Sequence, residues 1–334
     1  MSWLSELIRH VTTTEAVDFV ISPALGAGTA TAVTTPLVSG QAYVTVRIAS
    51  LRLPNTRQKI FDRVYGLVHA YGQLSSPRGA DLQFAAATMP SQLAGVDPKN
   101  LQNVLSINKA VMGPTPWSGG DLQLQLGLFS VVSENLAGPF LETLTALTDT
   151  VGVAFAGAAK PYVDLVKFGV EKFTDASGSV KLEIGLDQTL PNPATGYFAL
   201  VAARKDALAG KKFSYDPADF KLLVDGVAYT DKPYLIFAIE ASQQRPDWGN
   251  IPDIKQSYAA LIAAIEKGDR NTAQDSLTVF KRLTTISPDL IDADGERLIA
   301  KVDALFNKVF AAAGNSAEAV AVLPKFHQLD LYDA

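Results

Sequence analysis

The chain has 334 residues, 48% of them hydrophobic, with 29 basic and 34 acidic side chains and a net charge of −5. That length accommodates two domains, and that apolar fraction supplies a sizeable core and excludes global disorder. The charges are interspersed without a basic stripe, which argues against nucleic acid as a partner, and the lack of cysteine excludes disulfides, thiolate zinc sites, iron–sulfur clusters and cysteine nucleophiles.

The first element is "MSWLSELIRHV", in which Trp3, Leu4, Leu7, Ile8 and Val11 form a helical stripe with no basic run before it. This pattern predicts a short helix docked on the protein body, with a peripheral membrane anchor as the alternative. The stretch "VDFVISPALGAGTATAVTTPLV" (17–38) carries one charge, Asp18, and is long enough to span a bilayer. Pro23, Gly26, Gly28 and Pro36 break it, so it reads as extended or loop structure and no membrane span is expected. Residues 1–40 thus form a helix and an extended lead-in.

From 41 to 240 the pattern is that of an antiparallel body. In "QAYVTVRIASLRL" (41–53), Val44, Val46 and Ile48 alternate with Tyr43, Thr45, Arg47 and Ser50, the period of a half-buried strand. Further strands are expected within 59–74, 80–89 and 103–112, followed by a loop, "GPTPWSGG". "GGDLQLQLGLFSV" then alternates Leu122, Leu124, Leu126 and Leu128 with Gln123, Gln125, Gly127 and Phe129. "VKLEIGLDQ" echoes it later, with Gly185 answering Gly127. The echo reads as two similar sheet edges at which glycine permits a bulge or a close approach. Between these strands, 135–174 reads as a helical insertion: Pro139 suits a first turn, Phe140, Leu141, Leu144 and Leu147 share a face, and a second helix starts or kinks near Pro161. Lys160, Asp164 and Lys167 make that hairpin costly in a membrane. "TGYFALVAAR" (195–204) is a strand, "KLLVDGVAY" a hairpin turning at Asp225–Gly226, and "YLIFAIE" (234–240) a central strand buried on both faces. Short strands of this spacing indicate a β-sandwich-like body.

Between Glu240 and Asp253 the period changes from two to 3.6. Ile254, Tyr258, Leu261, Ile262 and Ile265 form one helical stripe, opened by a capping box of Asp253 and Gln256 and stopped by Gly268. Asp269 caps a second helix with Ala273, Leu277, Phe280, Leu283 and Ile286 inward, and Leu298, Ile299, Val302, Leu305, Phe306 and Val309 mark a third. "AAIEKGDRNTAQDSL" (263–277) resembles the turn of a tetratricopeptide helix pair; a single unit falls short of that family's repeat and carries no function over. The fold class expected is therefore α+β: a β-sandwich-like body with a helical insertion, a C-terminal three-helix lobe at 253–314, and a tail at 315–334. The lobe's stripes exceed what a small three-helix unit buries alone, so a further surface is expected to cover them.

Chemistry leaves few traces. His10, His69 and His327 are widely separated and belong to no metal or nucleophile motif, and His69 reads as a strand histidine. "ALGAGTAT" lacks the lysine of a phosphate loop. "DADGERL" offers Asp292, Asp294 and Gly295 of a calcium loop, but the first and last ligand positions fall on Leu290 and Lys301, so a helix N-terminus explains those acids better. Asp62, Asp81, Asp97 and Asp121 lie near strand ends, where they read as turn formers, with a C2-like calcium or lipid site as the alternative. Trp117, in a Pro/Gly loop, and Arg245 with Trp248, just before the lobe, are the candidate partner-binding residues, because Trp and Arg anchor interfaces. The commoner use of such a tryptophan is to staple its loop onto the core, since the side chain is usually mostly buried.

No catalytic residue, cofactor or metal ligand is assigned. The reading is a non-enzymatic interaction or scaffold subunit of a cytoplasmic multi-protein assembly, with a composition compatible with a bacterial source. Its partner is expected to be protein, not nucleic acid or membrane. The alternatives are a peripheral lipid-binding protein with a C2-like sandwich, and a hydrolase with scattered carboxylates.

Overall fold

The computed structural model describes residues 3–15, 17–27, 37–53, 64–75, 81–88, 104–132, 180–311 and 324–332. Helix α1 (Trp3–Glu15) leads into β1 (Asp18–Ile21), β2 (Gly26–Ala27) and β3 (Tyr43–Arg52). Strands β4 (Val64–Leu74), β5 (Leu82–Thr88), β6 (Val104–Pro116) and β7 (Asp121–Val132) follow. After them come β8 (Val180–Pro191), β9 (Gly196–Ala203), β10 (Phe213–Asp216), β11 (Lys221–Val224), β12 (Val227–Ala228) and β13 (Tyr234–Ser242). Helices α2 (Pro252–Glu266), α3 (Arg270–Ile286) and α4 (Asp292–Ala311) complete the order, with a short 3-10 turn at Phe326–Gln328. The helical insertion expected at 135–174 lies outside the described residues, as do Asp62 and Asp97.

Among the described residues three sheets make the body, and the fold is α+β. A central sheet runs β1-β9-β13-β3-β6, an outer sheet β5-β4-β7-β8, and a small side sheet β12-β11-β10-β2. The ladders of the first two are antiparallel. The leucine alternation of β7 has a direct physical cause: Leu122, Leu124, Leu126 and Leu128 all enter the core between outer and central sheets, facing Val44, Val46, Leu235 and Phe237. β13 is central, and both its faces are buried. Leu235, Phe237 and Ile239 join that main core, while Tyr234 and Ile236 pack toward the side sheet with Tyr215 and Leu222. The expected hairpin forms with Asp225 at φ 52° and Gly226 at φ 79° and Val224 paired to Val227, the two positive φ values that a tight two-residue turn requires.

Two local expectations need correction. The loop expected at 113–120 begins later, because β6 continues through Pro116 with Thr115 opposite Val44. Prolines lack an N–H, but β6 is an edge strand of the central sheet, so the missing donors cost no interior ladder bond. In β3 the residues taken for an outer face, Tyr43, Thr45 and Ser50, are buried. The side sheet covers Ser50, whose hydroxyl donates to the Phe220 carbonyl at 2.9 Å, and the lobe covers Tyr43.

Gly127 and Gly185 are directly opposed in the ladder of β7 with β8, and His69 of β4 opposes Gly127 from the other side. They do not mark two edges, since β7 is an inner strand and β8 alone is terminal. What they make is a low place on the outer sheet's exterior for α1. Leu4 is fully buried there; a methyl on Gly127 would meet the Phe129 ring of its own strand at 2.6 Å and only touch Leu4 Cδ1, at 3.6 Å, whereas one on Gly185 would lie 2.4 Å from Ile8 Cγ1. The bulge falls next to this pair, between Leu128 and Phe129.

The lobe has its own core, separate from that of the sheets. Ile254, Tyr258, Leu261 and Ile265 of α2 meet Ala273, Leu277 and Phe280 of α3 and Leu298, Val302, Phe306 and Val309 of α4. Asp269 caps α3 by accepting from the Asn271 and Thr272 N–H groups; the Thr272 hydroxyl, which donates to the same carboxylate, and after it these N–H bonds hold its carboxyl below the usual range. α2 starts one residue before the expected capping box: Ile251 is the N-cap without a side-chain bond, and Pro252 occupies the first turn. In α3 the inward row is Ala273, Leu277, Phe280 and Thr284. Ile286, expected inward, lies off that row and is 57% exposed. The chain itself covers part of the lobe, since Phe326, Leu329 and Leu331 of the tail enter its core. Phe326 packs against Trp248 and Tyr258 with both ring centroids at 5.0 Å.

Candidate functional site

Body and lobe meet through a buried polar junction. Asp294, in the first turn of α4, is fully buried. Its Oδ2 accepts from Tyr43 Oη of β3 at 2.6 Å and from Tyr332 Oη of the tail at 2.8 Å, and its Oδ1 meets Arg297 Nη1 at 3.0 Å. Tyr43 Oη also accepts from the Ile291 N–H at 3.2 Å, and Tyr332 Oη from the Arg245 N–H at 2.7 Å. Arg245 is fully buried as well. Its Nη1 donates to the Asp289 carbonyl at 2.8 Å and carboxylate at 3.2 Å, and its Nε to Asp247 at 2.9 Å. Strand, linker, helix and tail are thus joined by charge-assisted bonds centred on two fully buried groups, Asp294 and Arg245.

Burial, and after it the adjoining Asp294 carboxylate, pushes the hydroxyls of Tyr43 and Tyr332 well above the ordinary tyrosine range. The sign for stability follows. A tyrosine whose folded value is raised contributes fully below the unfolded value of about 10, and the contribution is lost as pH rises from there toward the folded value. Stability against urea should therefore fall between about pH 10 and 11.5, and Tyr43→Phe should flatten that fall while lowering stability at neutral pH. An unchanged alkaline slope in Tyr43→Phe would remove the junction from the account.

A cleft of about 610 Å³ opens between α1, β1 and β8. Ile8, Phe19, Val20, Ile21, Gly185 and Leu186 form its apolar lining, and Ser5, Arg9, Thr12, Asp18, Asp187 and Gln188 the polar one. The Ser5 hydroxyl donates to Asp187 across it, tying α1 to β8. β1 ends the central sheet and β8 ends the outer sheet, so among the described residues both walls are terminal strands. A smaller groove of about 260 Å³ lies at the seam of body and lobe, lined by Trp117, Pro116, Leu290 and Ile291 among others.

The sequence-derived candidates all lie inside the molecule. Trp117 is 3% exposed in the main core, Trp248 6% exposed in the lobe core, and Arg245 buried as described. The Trp117 N–H donates to the Ala42 carbonyl at 2.8 Å, and its carbonyl accepts from the Gly40 N–H at 2.7 Å. The three do not form one surface: Trp117 faces the seam, and Arg245 and Trp248 fasten the linker to the lobe. His69 is fully buried in the outer sheet, His10 lies on α1 and His327 in the tail turn. Asp81 and Asp121 stand at the same end of the outer sheet, beside Leu82 and Leu122, which both oppose Leu74. Asp81 accepts from Gln73 Nε2 at 2.8 Å. Among the described residues no three His, Asp or Glu side chains cluster in a metal-holding group, and no helix is long and apolar enough to cross a membrane.

Sequence reasoning missed both the junction and the cleft. Asp294 was visible only as an imperfect calcium ligand and a helix-start acid, Tyr43 only as one member of an alternation, and the cleft requires α1 to be placed. No family model, curated protein or solved structure matches the chain.

Proposed function

We propose that the chain is a non-enzymatic interaction subunit of a multi-protein assembly, and that the cleft between α1, β1 and β8 holds an extended segment of a protein partner. The observation that carries this reading is the pairing of two terminal strands around one partly apolar cleft. An extended peptide can add to a strand at the end of a sheet while its alternate side chains enter an adjoining apolar lining. The buried ionisable groups add support. Asp294, Asp289, Arg245, Tyr43 and Tyr332 bond to one another across the junction, an arrangement that joins parts of the chain. α1 places Leu4 and Ile8 against protein, which supports a protein-facing role for the first helix over a lipid-facing one.

The test is site-specific photo-crosslinking of the full chain in the cells that make it. A photoreactive side chain at Gln188 or Thr12 should give a discrete protein adduct whose cross-linked peptide maps to one segment. The same group at Val227, 71% exposed on the side-sheet hairpin, should give none. Adducts of equal yield from Val227, or no protein adduct from either cleft position, would overturn the assignment.

A further inference from the structure

Helix α3 carries an apolar row that its own lobe leaves uncovered. Val279 is 53% and Ile286 57% exposed, with half-buried Leu283 between them. Spacings of four and three residues put the three on one face, away from the inward row of Ala273, Leu277, Phe280 and Thr284. Elsewhere in the lobe the large apolar residues of the stripes are buried or half-buried.

The charges beside the row indicate what covers it. Asp275 and Arg282 are both exposed. At 100° per residue they fall about 40° and 60° to the same side of Val279. Consider two copies of α3 packed antiparallel about a twofold axis passing beside Val279. Residues equally far before and after Val279, on the same side of the row, then face each other across the axis. Asp275 lies four positions before Val279 and Arg282 three after, so each carboxylate meets the other copy's guanidinium, twice by symmetry. Val279 packs on Val279, and Ile286 packs near Thr272 of the other helix. A parallel pairing, with the axis along the helices, would instead put Asp275 and Arg282 of one copy on the opposite side of the seam from those of the other, so neither charge would meet its opposite. The row is thus self-complementary in one orientation, the property that a twofold interface demands.

We infer that the exposed face of α3 is a self-association surface whose occupant is the α3 of a second copy of this chain, packed antiparallel about Val279. A single helix of 17 residues spans roughly 25 Å, so the interface falls at the small end of specific ones, among the weak and transient associations. It is independent of the cleft between α1, β1 and β8 and of what that cleft holds.

The absence of cysteine makes the test direct. In the full chain, Val279→Cys places a thiol beside the axis and should oxidise to a covalent dimer at least several-fold faster than Thr278→Cys, an exposed neighbour turned about 100° away. Sedimentation velocity of the unmodified chain should show a monomer–dimer equilibrium across the micromolar range. Val279→Asp with Ile286→Asp should abolish the dimer; both positions are more than half exposed, so the monomer keeps its fold, as far-ultraviolet circular dichroism will verify. Asp275→Arg alone and Arg282→Asp alone should each weaken the dimer about tenfold, and the two together should restore it. A chain that stays monomeric at all these concentrations, equal oxidation of the two cysteine variants, or failure of the charge exchange to restore association would each overturn the inference.

Discussion

Arg245→Ala lowers the stability of the chain by about 3–5 kcal/mol, the cost typical of removing one partner from a buried ion pair. The guanidinium is fully buried, and the Asp289 side chain that it meets is 4% exposed. Alanine leaves that carboxylate in the interior without its cation, removes a donor from the Asp289 carbonyl, and leaves a void where the side chain stood. Asp247 is 33% exposed and water can solvate it, so Asp247→Ala should cost much less, about 1 kcal/mol or below. Arg245→Lys recovers only part of the loss, because one ammonium cannot replace a planar fork that reaches both acids. Urea unfolding followed by tryptophan fluorescence and far-ultraviolet circular dichroism measures all three variants. A change within about 0.5 kcal/mol for Arg245→Ala, the range of ordinary surface substitutions, would show that the linker does not bear the junction.

How much of this was legible in the sequence depends on how local the cause is. The β7 leucines, the β13 strand buried on both faces and the turn at Asp225–Gly226 each follow from a period or a backbone requirement contained within about ten residues. The lobe stripes of α2 and α4 were equally readable. Errors arose where a second layer changed the meaning of a pattern. Tyr43, Thr45 and Ser50 alternate as an exposed face would, yet the lobe and the side sheet cover them. Proline-bearing "GPTP" reads as a loop until β6 is known to be an edge strand. Ile286 was assigned inward on its hydrophobicity, although its angle on α3 opposes the row that the core uses.

The sites were less legible than the fold. Trp117, Arg245 and Trp248 were chosen because their residue types anchor interfaces, but the same large side chains also fill interiors, and here all three do. Arg245 illustrates the ambiguity. Its acids lie two and 44 positions further along the chain, and only the nearer was visible as a neighbour. Asp294, by contrast, drew attention as an imperfect calcium ligand. Besides Arg297, three positions on, its partners are Tyr43 and Tyr332, 251 and 38 positions away, separations that no local pattern encodes.

Gly185→Ala tests whether the paired glycines exist to seat α1. Gly185 has no left-handed backbone requirement, so alanine adds only a methyl group, and in a strand that change is otherwise mildly favourable. The methyl would stand 2.4 Å from Ile8 Cγ1 and 2.8 Å from Ile8 Cδ1, distances at which α1 or its side chain must move. Overpacking of this kind costs about 1–3 kcal/mol. Ile8→Ala by itself loses part of a half-buried side chain, about 1–2 kcal/mol. The double variant separates this account from a general intolerance of β8, because with Ile8 shortened the added methyl has room. Gly185→Ala should then cost less than about 0.5 kcal/mol in the Ile8→Ala background, a departure from additivity expected only of residues in contact. Equal costs in both backgrounds would mean that the glycine serves the strand and not the helix. The same pair reports on the cleft, since Ile8 and Gly185 both line it. If the cleft holds a partner, raising α1 with Gly185→Ala should reduce the photo-adduct at Gln188, and the added Ile8→Ala should return it.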